Sequence, residues 1–211
     1  MHALDLDAFR ATPLVREPFE HLVVPGFVRA EARPAVNADY PRIDTPGSFP
    51  IAEVAYGPAF GALLNELTGD ALRAAFEAKF GIDLTGRPTM LTVRGRCGTR
   101  DGNIHTDTAS KLITVLVYMN PTWEAPGGCL RLLRSPTDLD DVILEVPPVE
   151  GTLLAFRRSD NSWHGHKPFV GPRRVIQLNW VTDAGVTRRE VFRHRVSAWM
   201  KRTWARLRPA G

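Results

Sequence analysis

From Thr89 to Val181 the chain is divided into short apolar segments, each about the length of one strand. Thr89–Arg96 alternates as a strand should, and Leu112–Asn120 is an apolar run with β-branched residues. Cys129–Leu133 follows a Gly127-Gly128 turn, and Val142–Val146, Thr152–Phe156 and Arg174–Val181 complete the set. A strand hides its apolar side only by joining a sheet and packing that sheet on another layer. Many short strands with Gly and Pro turns therefore predict a two-sheet β-barrel or jelly roll.

Upstream the hydrophobic period is helical. Pro58–Leu67 carries the stripe Leu63, Leu64 and Leu67, and Asp70–Phe80 carries Leu72, Phe76 and Phe80. Asp70 is positioned to cap the second helix and Gly81 to end it. Both stripes are read as core that packs one face of a sheet. Asp5–Arg10 suits a helical turn, His21–Phe27 a strand entering a turn, and Ala30–Tyr40 a weak helix. Residues 41–57 hold three prolines and Gly47 and read as an ordered loop, either a cover for the site or a plain connector. The fold class is thus mainly β with flanking helices (α+β).

A length of 211 residues suits one domain with its own core. We divide it into a helical support region at about 1–88, a catalytic barrel at about 89–184 and a basic C-terminal helix at about 187–208. No apolar run reaches the length of a membrane span, and the acidic, weakly apolar N-terminus does not read as a secretory signal. Cys97 and Cys129 make no disulfide framework. A reducing, cytoplasmic setting is the expectation. The formal net charge is +4, but eight basic residues crowd the last two dozen positions, from Arg188 to Arg208. The body is near neutral, so no nucleic-acid partner is expected. Phe192, Val196, Trp199, Met200, Trp204 and Leu207 recur at helical spacing there. That helix either packs on the barrel with a solvated basic back or makes peripheral contact with an anionic membrane.

The chemistry is concentrated between Gly102 and Trp180. GNIHTDT places His105 and Asp107 two apart, so on a strand or tight turn both project to one side. SWHGHKP supplies His164 and His166 far enough along to fold back across a sheet. Two histidines and one carboxylate with open coordination positions form the facial site of non-haem Fe(II) oxygenases. Spacing alone leaves the third ligand open, because His164 and His166 are also two apart. His2, His21 and His194 have no partner pattern, and Cys97 and Cys129 are not needed as ligands.

These residues carry a resemblance. HxD, the strand–turn–strand VLVYMNPTWEAPGGCLRLL at Val115–Leu133, GTLLAF at Gly151–Phe156, a distal histidine and an arginine about ten residues on occur in that order. The chain resembles the Fe(II)/2-oxoglutarate-dependent dioxygenases, in their prolyl-4-hydroxylase-like branch, with a weaker N-terminal match at Pro18–Phe27. The resemblance implies a double-stranded β-helix, with Fe(II) as metal, 2-oxoglutarate as co-substrate and ascorbate in support. It implies hydroxylation of a substrate C–H bond with release of succinate and CO2. In the family the third ligand precedes the arginine by nine or ten residues; His164 is ten before Arg174 and His166 eight. His105, Asp107 and His164 are therefore expected as ligands, with His166 beside the site or touching substrate. The carboxylate Asp107 argues against halogenation, for which related enzymes lack it.

Arg174 is expected to hold the distal carboxylate of 2-oxoglutarate, since a guanidinium grips a carboxylate in a planar, two-pronged way. Arg173 is the rival. Arg174, Ile176, Leu178 and Trp180 share one side of the strand, apolar around a single charge, as expected of a barrel interior. Tyr118 occupies the family position whose hydroxyl meets the same carboxylate, and Thr114, four residues earlier, faces the same way. Arg94, Arg96, Trp123 and Trp163 are candidates for the substrate mouth. O2 and a substrate that is a prolyl or other peptide residue, a metabolite or a saccharide are the expected partners. The alternative from another class is a non-catalytic scaffold on the same fold that recruits partners through the basic C-terminal helix.

Overall fold

The structure, a computed structural model, describes residues 2–183 and residue 185. The expected helix at residues 187–208 lies outside the described residues. Helix α1 (Leu6–Ala11) is capped by Asp5, whose carboxylate accepts from the Ala8 N–H at 3.0 Å. Strand β1 (His21–Val24), helix α2 (Arg33–Ala38) and the short strand β2 (Phe49–Pro50) follow. Next come α3 (Pro58–Leu67) and α4 (Asp70–Phe80). Proline opens α3 at a position where its missing N–H costs nothing. Gly81, left-handed at φ 59°, closes α4, as expected. Asp70 is the first helical residue rather than the cap. Gly69 takes the cap position, and the Asp70 charge still favours the helix start.

Seven strands complete the described chain: β3 (Thr89–Cys97), β4 (Lys111–Tyr118), β5 (Leu130–Leu133), β6 (Val142–Val146), β7 (Leu153–Arg157), β8 (His164–Gly165) and β9 (Gly171–Val181). They form two sheets: β1-β7-β4-β9-β3-β2 and β6-β5-β8. All the strand pairs are antiparallel. The N-terminal region is thus not helical support alone. Its strands β1 and β2 complete the two edges of the large sheet.

Both faces of the large sheet are buried, by different layers. One face carries Val93, Ile113, Val115, Val117, Leu153, Ala155, Ile176, Leu178 and Trp180, packed on Phe60, Leu63, Leu67, Leu72, Phe76 and Phe80 of the helices. The Phe76 ring lies 4.9 Å from that of Trp180. The other face carries Leu116, Tyr118, Leu154, Phe156 and Val175, closed by Leu130, Leu132 and Val146 of the small sheet. A fully buried Leu or Phe contributes roughly 1.5–3 kcal/mol relative to exposure. The helix layer is the larger hydrophobic body, and the gap between the sheets is left to hold a polar site.

Candidate metal centre and co-substrate pocket

The HxD segment is not a regular strand. It is tied to β8 by reciprocal backbone bonds, His105 N–H to His164 O and His164 N–H to His105 O, each 3.0 Å. His166 N–H adds a bond to Gly102 O at 3.0 Å. Gly102 permits this approach: at φ 98° it has no side chain, and a Cβ would meet the His166 carbonyl at 2.4 Å. This ladder brings residues 59 positions apart into one cluster.

The candidate ligand atoms of His105, Asp107 and His164 all lie within 4.8 Å of one another. His105 Nδ1 sits 2.9 Å from Asn103 O, and His164 Nδ1 sits 3.0 Å from Ser162 O. A carbonyl only accepts, so each Nδ1 carries the proton and each Nε2 is left with a lone pair for a cation. Burial pushes the His164 pKa down to about 4, against the pull of Asp107, so the ring is neutral at pH 7. Asp107 is buried too, which opposes its charge. The Lys111 ammonium, the His164 ring and hydrogen bonds from Lys111 and Thr114 outweigh burial and hold its pKa at about 2. A neutral His164, an ionised Asp107 and a second imidazole from His105 are the donor types that suit a divalent first-row metal.

The cluster opens into a cavity of about 240 Å³ between the sheets. Arg94, Lys111, Thr114, His166, Arg173, Val175 and Gln177 are among its lining residues. Here the expected position of the anion-binding arginine is corrected: Arg173, not Arg174, faces the cavity. Arg174 is on the helix side of β9, with its guanidinium 5.2 Å from the Tyr40 ring centre and Nη1 3.5 Å from Asn37 O. The expectation placed Ile176, Leu178 and Trp180 in the barrel interior because they are apolar. They are apolar because helices cover them. The inward side of β9 is the more polar one, with Arg173, Gln177 and Asn179. That run of polar residues is legible in the sequence, but only the layers that cover the strand show that it faces the cavity.

Arg173 is only 5% exposed. Its Nε donates to Gly128 O at 2.8 Å, and its guanidinium lies 5.4 Å from the Tyr118 ring centre. Its Nη2 and the Tyr118 hydroxyl are buried without a hydrogen-bond partner among the described residues. Burial pushes the Tyr118 pKa up to about 12, so the phenol remains a donor at neutral pH. Two adjacent buried donors without acceptors are costly unless a ligand satisfies them. A carboxylate fits at Arg173, which lines the cavity, so the residues present suit 2-oxoglutarate at this end and a metal at the other; Tyr118 is not among the lining residues and lies behind Arg173, under its guanidinium.

Thr114 also lines the cavity, but its hydroxyl donates to Asp107 Oδ2 at 2.5 Å and accepts from Asn179 Nδ2 at 2.8 Å. His166 is buried against the cavity yet outside the ligand cluster, with Nδ1 2.9 Å from Lys167 O. Arg94 reaches the cavity and is paired with Asp101 at 2.8 Å. Arg96, Trp123 and Trp163 do not line it. Trp123 instead donates to Gly127 O at 3.1 Å and packs on Phe169. The loop at 41–57 contributes Ser48 to the lining. Lys111, Ser48 and Gln177 were not anticipated. For Lys111 the reason is a bulge in β4 between Lys111 and Ile113.

Residues 95–182 match the model of the 2OG-Fe(II) oxygenase superfamily. No curated protein matches the chain by sequence. Solved structures do match in fold. A prolyl-4-hydroxylase of Pseudomonas putida aligns at TM-score 0.55 and 18% identity, over 83% of this chain and 90% of that one. HygX from Streptomyces hygroscopicus, with nickel and 2-oxoglutarate bound, aligns at TM-score 0.53 and 13% identity, over 78% and 82%. A 2OG-Fe(II) oxygenase family oxidoreductase from Burkholderia pseudomallei aligns at TM-score 0.51 and 15% identity, over 85% and 90%. At these identities the likeness establishes a shared fold, the double-stranded β-helix of prolyl-hydroxylase-like oxygenases. The part of the chain that builds the cavity belongs to the 2OG-Fe(II) oxygenase superfamily, and the enzyme is a 2-oxoglutarate-dependent oxygenase that takes Fe(II) as its metal.

Proposed function

We propose that this enzyme hydroxylates a C–H bond of its substrate, with His105, Asp107 and His164 as iron ligands and Arg173 and Tyr118 as the seat of the distal carboxylate of 2-oxoglutarate. The observation that carries this reading is the pairing, in one cavity, of the His105, Asp107 and His164 cluster with the buried guanidinium of Arg173, which is stacked on Tyr118. When bound, Fe(II) with 2-oxoglutarate and O2 supplies the oxidising power, releasing succinate and CO2 and leaving one oxygen atom on the substrate.

The chain's own residues supply position. Asn103 O and Ser162 O orient the two imidazoles. Asn179 and Thr114 orient the carboxylate of Asp107. Arg173, anchored through Gly128 O, presents its free Nη2 beside the Tyr118 hydroxyl. Leu116, Leu130 and Val175 form an apolar wall that keeps water from the reacting face.

The substrate lies in the class of peptide residues, small metabolites or saccharides. The Pseudomonas putida relative in fold is a prolyl-4-hydroxylase, which supports a prolyl residue as the first substrate to test. The test is incubation with Fe(II), ascorbate and 2-oxoglutarate, alone and with peptides or small molecules, followed by mass spectrometry. Succinate formation that requires iron, with one oxygen added to a substrate, is expected. No succinate under any condition rejects the reading.

A further inference from the structure

Lys111 has a place that strand alternation does not predict. On a regular strand, residues 111 and 114 project to opposite faces. In β4 the register with β9 shifts between Lys111 and Ile113, and the extra residue turns Lys111 to the same side as Thr114. Both side chains then converge on one carboxylate. Lys111 Nζ is 2.6 Å from Asp107 Oδ1, and Thr114 Oγ1 is 2.5 Å from Asp107 Oδ2. The Lys111 side chain is 11% exposed and lines the cavity. Thr114 is neutral and is held by Asn179. Lys111 is a full positive charge on an atom of a metal ligand.

We propose that Lys111 is an internal cation that competes with the metal for Asp107 and thereby sets the metal affinity of the site. The inference rests on Asp107 being a metal ligand. In the metal-free protein the ammonium neutralises a buried carboxylate that would otherwise be unpaired, which stabilises the empty site. A divalent ion must bind one of the same two oxygens. Whichever it takes, the ammonium is within a carboxylate's width, and even sharing through a second lone pair leaves two cations in repulsion. Lys111 is thus a positioning residue with a cost: it holds Asp107 in place, and it weakens the binding of the ion that follows. Thr114 orients the same group without that cost.

The two roles separate in a metal titration. Metal-free protein is titrated calorimetrically with Mn(II), which needs no oxygen or co-substrate. Lys111→Met should bind Mn(II) about tenfold tighter or more, on the scale set by one removed charge at close range. Lys111→Arg should return the affinity toward that of the native protein. Thr114→Val should bind more weakly, because an oriented ligand is lost. The rise in melting temperature on saturation with Mn(II) should be larger for Lys111→Met than for the native protein. Should Lys111→Met not fold, Lys111→Gln removes the charge while keeping a hydrogen-bond donor, and the same tightening is expected. Equal or weaker binding in the folded neutral variant overturns the inference while leaving the metal site intact. No Mn(II) binding by the native protein rejects the metal-site reading and the inference with it.

Discussion

Replacing Arg173 by alanine tests the pocket most directly. The side chain is 5% exposed, Gly128 O anchors Nε at 2.8 Å, and Nη2 is left for a ligand beside the Tyr118 hydroxyl. Truncating one partner of a buried, hydrogen-bonded charge pair costs roughly 2–5 kcal/mol. At about 1.4 kcal/mol per tenfold, the 2-oxoglutarate constant of Arg173→Ala should rise by about two orders of magnitude or more. Iron binding should persist, because Arg173 is not among the ligand cluster. Arg174→Ala is the control. It removes a cation–π contact with Tyr40 and a long bond to Asn37 O, on the helix side of the sheet. That loss costs about 1 kcal/mol of fold stability and should leave the co-substrate constant within about twofold. Arg173→Lys keeps the charge but not the two-pronged geometry, so it should fall between native and alanine. The assay is an anaerobic titration of the Fe(II) protein with 2-oxoglutarate, followed by the weak visible band of the chelate. Sensitivity at Arg174 with indifference at Arg173 refutes the assignment of strand faces. Indifference at both refutes carboxylate capture in this cavity.

Tyr118→Phe removes one donor to the same carboxylate and should raise the 2-oxoglutarate constant by about tenfold or more, the worth of a hydrogen bond to a charged group, with iron affinity unchanged; an unchanged constant would place the co-substrate elsewhere. His105→Ala, Asp107→Ala and His164→Ala should each abolish succinate formation, whereas His166→Ala should keep its metal by calorimetry; the reverse pattern for His164 and His166 would overturn the choice of third ligand. Acid should destabilise the metal-free protein through His164. Its folded pKa of about 4 lies below the ordinary value near 6.5, so the unfolded chain binds the extra proton first and stability rises with pH. This contribution is complete above about pH 6.5 and is lost as pH falls toward 4, at most roughly 3 kcal/mol at 1.36 kcal/mol per unit. Urea midpoints measured in chelator at pH 7, 5.5 and 4.5 should fall accordingly, and a flat profile would contradict the buried neutral ring.

Much of the fold was legible because its signals are local. Leu63, Leu64 and Leu67 repeat at helical spacing, and all three are buried where that spacing says. Gly81 ends its helix by adopting a left-handed conformation that suits glycine. The strands β3, β4, β5, β6, β7 and β9 were readable from β-branched runs between turns. The two-residue strands β2 and β8 were not, because two residues have no period and exist only through their partners.

The sequence by itself determined the kind of chemistry: His105 and Asp107 two apart, a histidine pair downstream, and a strand with adjacent arginines. Only the tertiary structure decided which arginine faces the cavity and that Lys111 joins the site. The physical reason is the same in both cases. Alternation says which residues share a side, but not which layer covers that side. Here helices bury one face of the large sheet and the small sheet closes the other, so apolar character could not identify the interior. At Lys111 the alternation itself fails. A single bulge, set by pairing with β9 and absent from any local pattern, swings the side chain onto Asp107.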